Sequence, residues 1–203
     1  MSLWRVLCGL DMVDTAQCAR SCTTNSARGR PLRDDRKGIV VDRVYHFTLK
    51  FAVPVRTTAP EDWIDRLAEA GSVDALVGTG IPGRLALEFD RSAANAHAAL
   101  HSAVTDVQRA IPEARLIEAG PDYVGLTEIA ELLGISRQAM RKIMSNNIES
   151  FPLPVHEGNP SIWHLKYVLD WMRQHQGRSI DENTEDVSTA AFRMNSVRRA
   201  AAA

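Results

Sequence analysis

Residues 44–53 read VYHFTLKFAV, with Tyr45, Phe47, Leu49, Phe51 and Val53 alternating against His46, Thr48 and Lys50. Successive side chains of a strand point to opposite faces, so a period of two with aromatic enrichment predicts a strand with one buried face. Such a strand needs partners for its backbone and a cover for its aromatic face. The sequence that follows has candidates for both. Pro54 and TTAP stop the strand, and PEDWIDRLAEAG then carries Ile64, Leu67 and Ala68 on one helical face, with acids in the first turn and Gly71 just past the end. VDALV is a short apolar run, and RLALEF alternates again through Leu85, Leu87 and Phe89. The series Ala96, Leu100, Ala103, Val104, Val107 and Ile111 has helical spacing between Ser92, read as the cap, and Pro112. ARLIEA closes the series as a last strand.

Strand, helix, strand, strand, helix, strand is the order of a ferredoxin-like βαββαβ domain, an antiparallel sheet with both helices on one face, over residues 43–120. The same order decides how GTGIPG, residues 78–83, is read. Its letters match a dinucleotide loop, but that loop needs a helix after the glycines, and RLALEF has strand period. Gly78, Gly80 and Gly83 are expected to relax the φ restriction in a hairpin, and no cofactor is expected. The outer face of the sheet, with His46, Thr48, Lys50, Arg84 and Glu88, is expected to meet water, a second subunit or a small-molecule effector.

Composition adds limits. The 203 residues allow two small domains, the apolar fraction of 45% is enough for a core, and the net charge of -1 gives no general attraction to nucleic acid. Residues 1–42 gather Arg28, Arg30, Arg33, Arg36 and Lys37 among small polar residues and are expected to form a disordered basic arm. Cys8, Cys18 and Cys22 lie in that arm without the further ligands a zinc site needs, and no metal is expected. The start MSLWRVLCGL lacks a strong basic leader, and no run is long enough for a membrane span, so a cytoplasmic protein without membrane association is expected. No catalytic set emerges: His97 and His101 have i,i+4 spacing with no Glu between them in the metalloprotease manner, and Asp62 and Asp65 read as first-turn charges. The chain is expected not to be an enzyme.

DYVGLTEIAELLGISRQAMRKIM carries the functional expectation. Thr127 reads as a cap, and Leu126, Ile129, Ala130, Leu132 and Leu133 read as one apolar face. Gly134 ends the helix, Ile135 packs into the corner and Ser136 caps a second helix. There Ala139, Met140 and Ile143 are expected inside, with Arg137, Gln138, Arg141 and Lys142 outside. Two short helices joined by a glycine turn, the second basic on its outer face, predict a DNA-binding helix-turn-helix. Arg can pair with guanine O6 and N7, and Gln with adenine N6 and N7, while Lys142 and Ser136 suit phosphates.

SFPLPVHEGNPSIWHLKYVLDWM follows, with a proline-rich turn and a hairpin from Val155 to Trp163 around EGNP. A closing helix then has Leu165, Val168, Leu169 and Met172 on its packing face and Trp171 at its edge. From about Tyr123 to Gln176 the sequence resembles the winged-helix domains of the MerR, AlpA and excisionase group. The resemblance implies a winged helix-turn-helix over residues 121–177, with helix 136–144 in the major groove and the hairpin around His156 to Asn159 along the backbone or minor groove. The implied interface is Thr127, Ser136, Arg137, Gln138, Arg141, Lys142, His156 and Asn159. The implied function is a bacterial or phage-like transcriptional regulator that binds double-stranded DNA, or an excisionase-like architectural factor; a protein-interaction adaptor is the alternative. Wings of that group are often basic, whereas this one carries Glu157. Weak binding by one copy makes a homodimer the expected state. Residues 178–203 are expected to form a C-terminal helix or tail.

Overall fold

The computed structural model describes residues 5–6, 42–55, 60–72 and 74–202, and shows a mixed α+β protein. The described elements are β1 (Arg5–Val6), β2 (Arg43–Ala52), α1 (Pro60–Glu69), β3 (Ala75–Gly78), β4 (Arg84–Ala93), α2 (Ala96–Ala110), β5 (Arg115–Gly120), β6 (Tyr123–Val124), α3 (Leu126–Leu132), α4 (Arg137–Asn146), β7 (Trp163–His164), α5 (Leu165–Gln176) and α6 (Glu182–Ala202). The basic arm lies outside the described residues apart from Asp42 and Arg5–Val6, the latter paired with Val77 and Leu76.

The alternation of β2 sets the sheet. Its ten residues pair antiparallel with β4 from Arg43↔Ala93 to Ala52↔Arg84, and its other edge pairs antiparallel with β5. With β3 on the far side of β4, the strands run β3-β4-β2-β5, extended by the two residues of β1. Tyr45, Phe47, Leu49 and Phe51 are buried on one face together with Val77, Leu85, Leu87 and Phe89. The rings of Phe47 and Phe89 stack with centroids 5.2 Å apart. Trp63 and Leu67 of α1 and Leu100, Ala103 and Val107 of α2 join the same cluster, so both helices cover this one face. On the opposite face His46, Lys50 and Arg84 are exposed and Thr48 and Glu88 half-buried, with His46 between Glu88 at 3.0 Å and Asp90 at 2.8 Å.

Several local expectations change. Ser92 is not the cap of α2: β4 continues through it, and Asn95 caps the helix by accepting a hydrogen bond from the Ala98 N–H at 2.8 Å. The strand reaches that far because its buried alternation ends in a charge. Arg91 follows Leu85, Leu87 and Phe89 on the inner face, paired with Asp74 at 2.7 Å, Asp106 at 2.7 Å and the Ser102 hydroxyl at 3.1 Å. Burial opposes its charge, but the two carboxylates outweigh burial and hold its pKa above the ordinary value.

Of the two expectations for the C-terminal segment, the described residues show the helix, α6. α6 returns to the sheet, where Val187, Ala190 and Ala191 enter the core beside α2. Its buried Asn195 binds the free edge of β5 as a neighbouring strand would: Oδ1 accepts from the Ala119 N–H at 2.9 Å and Nδ2 donates to the Ala119 carbonyl at 2.8 Å. Nδ2 also donates to Oδ2 of the fully buried Asp122 at 2.7 Å, whose Oδ1 accepts from His164 Nδ1 at 2.7 Å. Everything from β6 to α5 is therefore an insertion between β5 and α6.

Asn195→Ala removes three hydrogen bonds at once and leaves one Asp122 oxygen buried without a donor. An unfolding free energy lower by about 2–4 kcal/mol is expected in urea denaturation, since buried polar groups that lose a partner keep their desolvation cost. A loss below about 0.5 kcal/mol, the range of ordinary surface substitutions, would mean that α6 is not anchored in this way.

Candidate nucleic-acid interface

α3 and α4 form a tight pair because the turn between them satisfies its own backbone. Gly134 has φ +62, the Gly134 N–H donates to the Glu131 carbonyl at 3.0 Å and the Ile135 N–H to the Ala130 carbonyl at 2.9 Å. These bonds occupy carbonyls that the end of α3 would otherwise leave open. Arg178, from the segment after α5, donates to the Leu133 carbonyl at 3.0 Å and places a cation at the same helix end. No sequence pattern pointed to Arg178, whose partner is 45 residues away.

The second helix begins as expected, with Ser136 Oγ accepting from the Ala139 N–H at 3.1 Å. The first does not. Thr127 lies inside the first turn of α3; the cap position is Gly125, whose N–H donates to Glu128 Oε2 at 2.5 Å. Met140, Ile129 and Ala130 are buried between the helices, and Ile143 is partly buried. Ala139 and Leu132 are exposed, contrary to the expected inward face. At about 100° per residue, Met140 directed inward turns Ala139 well off the core side.

The same rotation places Gln138, Lys142 and Ser145 opposite Met140, with Arg141 and Asn146 on the flanks and Arg137 on the N-terminal shoulder. All six are exposed. Ser145 and Asn146 were not among the expected contacts; continuing the helical period one turn beyond Lys142 finds them.

The electrostatics of this unit are uneven. Between Asp122 and Gln176 there are five Lys or Arg against six Asp or Glu. Lys166 and Arg173 both pair with Asp170, at 2.5 and 3.3 Å, and Arg173 also with Glu185 at 3.0 Å. Among the described residues Arg137, Arg141 and Lys142 have no carboxylate within 4.0 Å. The uncompensated positive charge is thus concentrated on α4.

The hairpin is short: Val155 N–H donates to the Ile162 carbonyl at 2.7 Å and Ile162 N–H to the His156 carbonyl at 3.0 Å. His156 and Asn159 are exposed on it, as is Glu157. Beneath it Phe151 meets Trp171 edge-on at 5.1 Å and Trp163 at 6.3 Å, and Trp163 Nε1 donates to the Pro152 carbonyl at 3.1 Å. Trp171, expected at the edge of the packing face, is fully part of this buried cluster. The pairing of β6 with β7, Tyr123↔His164 and Val124↔Trp163, was not foreseen and joins the hairpin's end to the start of α3. The expected contacts thus fall in three places: four side chains and a cap on α4, Thr127 on α3, and His156 with Asn159 on the hairpin.

The described residues contain no group of three His, Cys, Asp or Glu side chains able to hold a metal. His97 and His101 stack at 6.1 Å on the exposed side of α2. No described helix is long and apolar enough to cross a membrane. Comparison with protein-family models, curated proteins and solved structures found no match to this chain.

At Gly134 a Cβ would meet no atom within 4 Å, so only the positive φ opposes a side chain there. Gly134→Ala is expected to cost about 1 kcal/mol in thermal or urea unfolding, the price of the left-handed conformation. Ser136→Ala is expected to cost about 1 kcal/mol as a lost cap.

Proposed function

We propose that this chain is a sequence-specific double-stranded DNA-binding protein, a transcriptional regulator or recombination accessory factor that reads the major groove with α4. One observation carries the reading: three cations without carboxylate partners, Arg137, Arg141 and Lys142, share an exposed helix face with Gln138 and Ser145. That face offers paired donors for guanine and adenine edges and point charges for phosphate. The α3–turn–α4 pair with its hairpin and closing α5 supports a winged helix-turn-helix reading. The strand order β3-β4-β2-β5, with α1 and α2 on one face, supports a ferredoxin-like reading for the sheet domain. The cytoplasm is the compartment this function implies.

The near balance of charge in the helical unit limits one copy to few phosphate contacts. Affinity should therefore come from two copies on paired half-sites, joined through the sheet domain. Selection of bound fragments from random and genomic DNA, at low salt, tests the reading. A shared motif is expected, lost in Arg137→Ala/Arg141→Ala, with a salt slope of about −0.9 per neutralised phosphate and so no steeper than about −3 per copy. Two inverted half-sites would give the geometry of the dimer. No enrichment, or a motif indifferent to both arginines, rejects the α4 assignment.

Exposed Ile148, Leu153 and Val155, with Leu153 at 87% exposure, favour a second reading, an adaptor that docks a partner protein beside the hairpin. Leu153→Ser separates the two, since it should abolish partner capture and leave DNA selection unchanged.

A further inference from the structure

Where β2 ends and β4 begins, the sheet domain leaves an open cavity of about 220 Å³. Its walls include Val53, Val55, Trp63 and Ile81, together with Thr79 and Arg84. The wall formed by the β3–β4 loop is held in place. Val53 N–H donates to the Gly83 carbonyl at 3.1 Å and Arg84 N–H to the Ile81 carbonyl at 3.0 Å. Gly83 has φ +73, and a Cβ there would stand 2.9 Å from Val55 Cγ2. Loop and strand end are thus packed backbone to side chain, and the glycine that resembles part of a cofactor fingerprint closes a wall instead.

Two features of the cavity point to a ligand of definite chemistry. Ile81 and Val55, two of its lining residues, are 66% and 72% exposed, large apolar groups left to water at a concavity of mixed polar and apolar lining. Arg84, an exposed cation, is one of the residues lining the same space, and among the described residues no carboxylate lies within 4.0 Å of it. Cavities of roughly 150 Å³ hold a benzene molecule, so this one has room for a six-membered ring or branched chain with one small substituent. The geometry points to a binding site for a small apolar carboxylate, its hydrocarbon part against Trp63 and Ile81 and its carboxylate on Arg84. The site does not involve α4 and does not depend on the DNA-binding reading.

The full chain, labelled with ¹⁵N, is titrated with benzoate, phenylacetate and isovalerate, and with benzamide as the neutral counterpart of benzoate. The Trp63 indole N–H resonance, assigned from its loss in Trp63→Phe, is followed. At least one acid is expected to shift it saturably, with benzamide bound at least tenfold more weakly than benzoate if benzoate is that acid, because a bidentate Arg–carboxylate pair is lost. Arg84→Gln is expected to weaken the acid by a similar factor, and Ile81→Asp to abolish binding by charge and lost apolar contact. Both substitutions lie at exposed positions, and an unchanged melting temperature separates lost binding from lost fold. If no acid shifts Trp63 saturably up to 10 mM-scale concentrations (of order ten times a typical millimolar KM), or if Arg84→Gln binds as tightly as the parent, the proposal is wrong.

Discussion

The carboxylate of Asp122 is fully buried, and the arrangement of the whole chain follows from how it is satisfied. A buried carboxylate without donors would cost several kcal/mol. Here one oxygen takes a hydrogen bond from His164, just before α5, and the other from Asn195, near the end of α6. His164 is held in turn by Phe192 edge-on at 4.8 Å and by Tyr123 at 5.0 Å. Sheet, inserted unit and closing helix thus meet at one polar point inside an aromatic shell. Removing either His164 or Asn195 leaves one Asp122 oxygen buried without its donor.

This junction bears on function because it restrains the inserted unit from both ends. The chain leaves the sheet through Asp122 and returns through α6, with Arg173 to Glu185 as a further tie. α4 is therefore presented in a set orientation relative to the sheet domain, not on a flexible linker. On the DNA-binding reading proposed above, two copies associated through their sheets would hold two α4 helices at one spacing, as paired half-sites require. Restraint of this kind matters most when each helix carries few charges, since little orientational freedom is then lost on binding.

The balance of charge explains why α4 stands apart from its surroundings. The two basic side chains of the inserted unit that lie outside α4, Lys166 and Arg173, are held in pairs with Asp170 and Glu185, and Arg178 serves a helix carbonyl. The hairpin adds Glu157 and no Lys or Arg. A net count of charge hides a helix face whose cations are not matched, and only the pairing pattern reveals it.

The sequence by itself determined the elements that rest on neighbouring residues. The alternation of Tyr45 through Phe51, the helical period from Ala96 to Ile111, and the Gly134–Ser136 turn each express a preference felt within a few residues, and each stands as read. Tertiary structure decided whatever depends on a distant partner. Arg91 is on the inner face because Asp74 and Asp106 meet it there; Trp171 is buried because Phe151 and Trp163 close over it. The role of α6 was least legible of all: its hydrophobic period is weak, and its key residue is an Asn whose partner, Ala119, lies 76 positions earlier. An amide side chain that completes a sheet edge has no local signature, because the unpaired edge it serves exists only once the strands have paired.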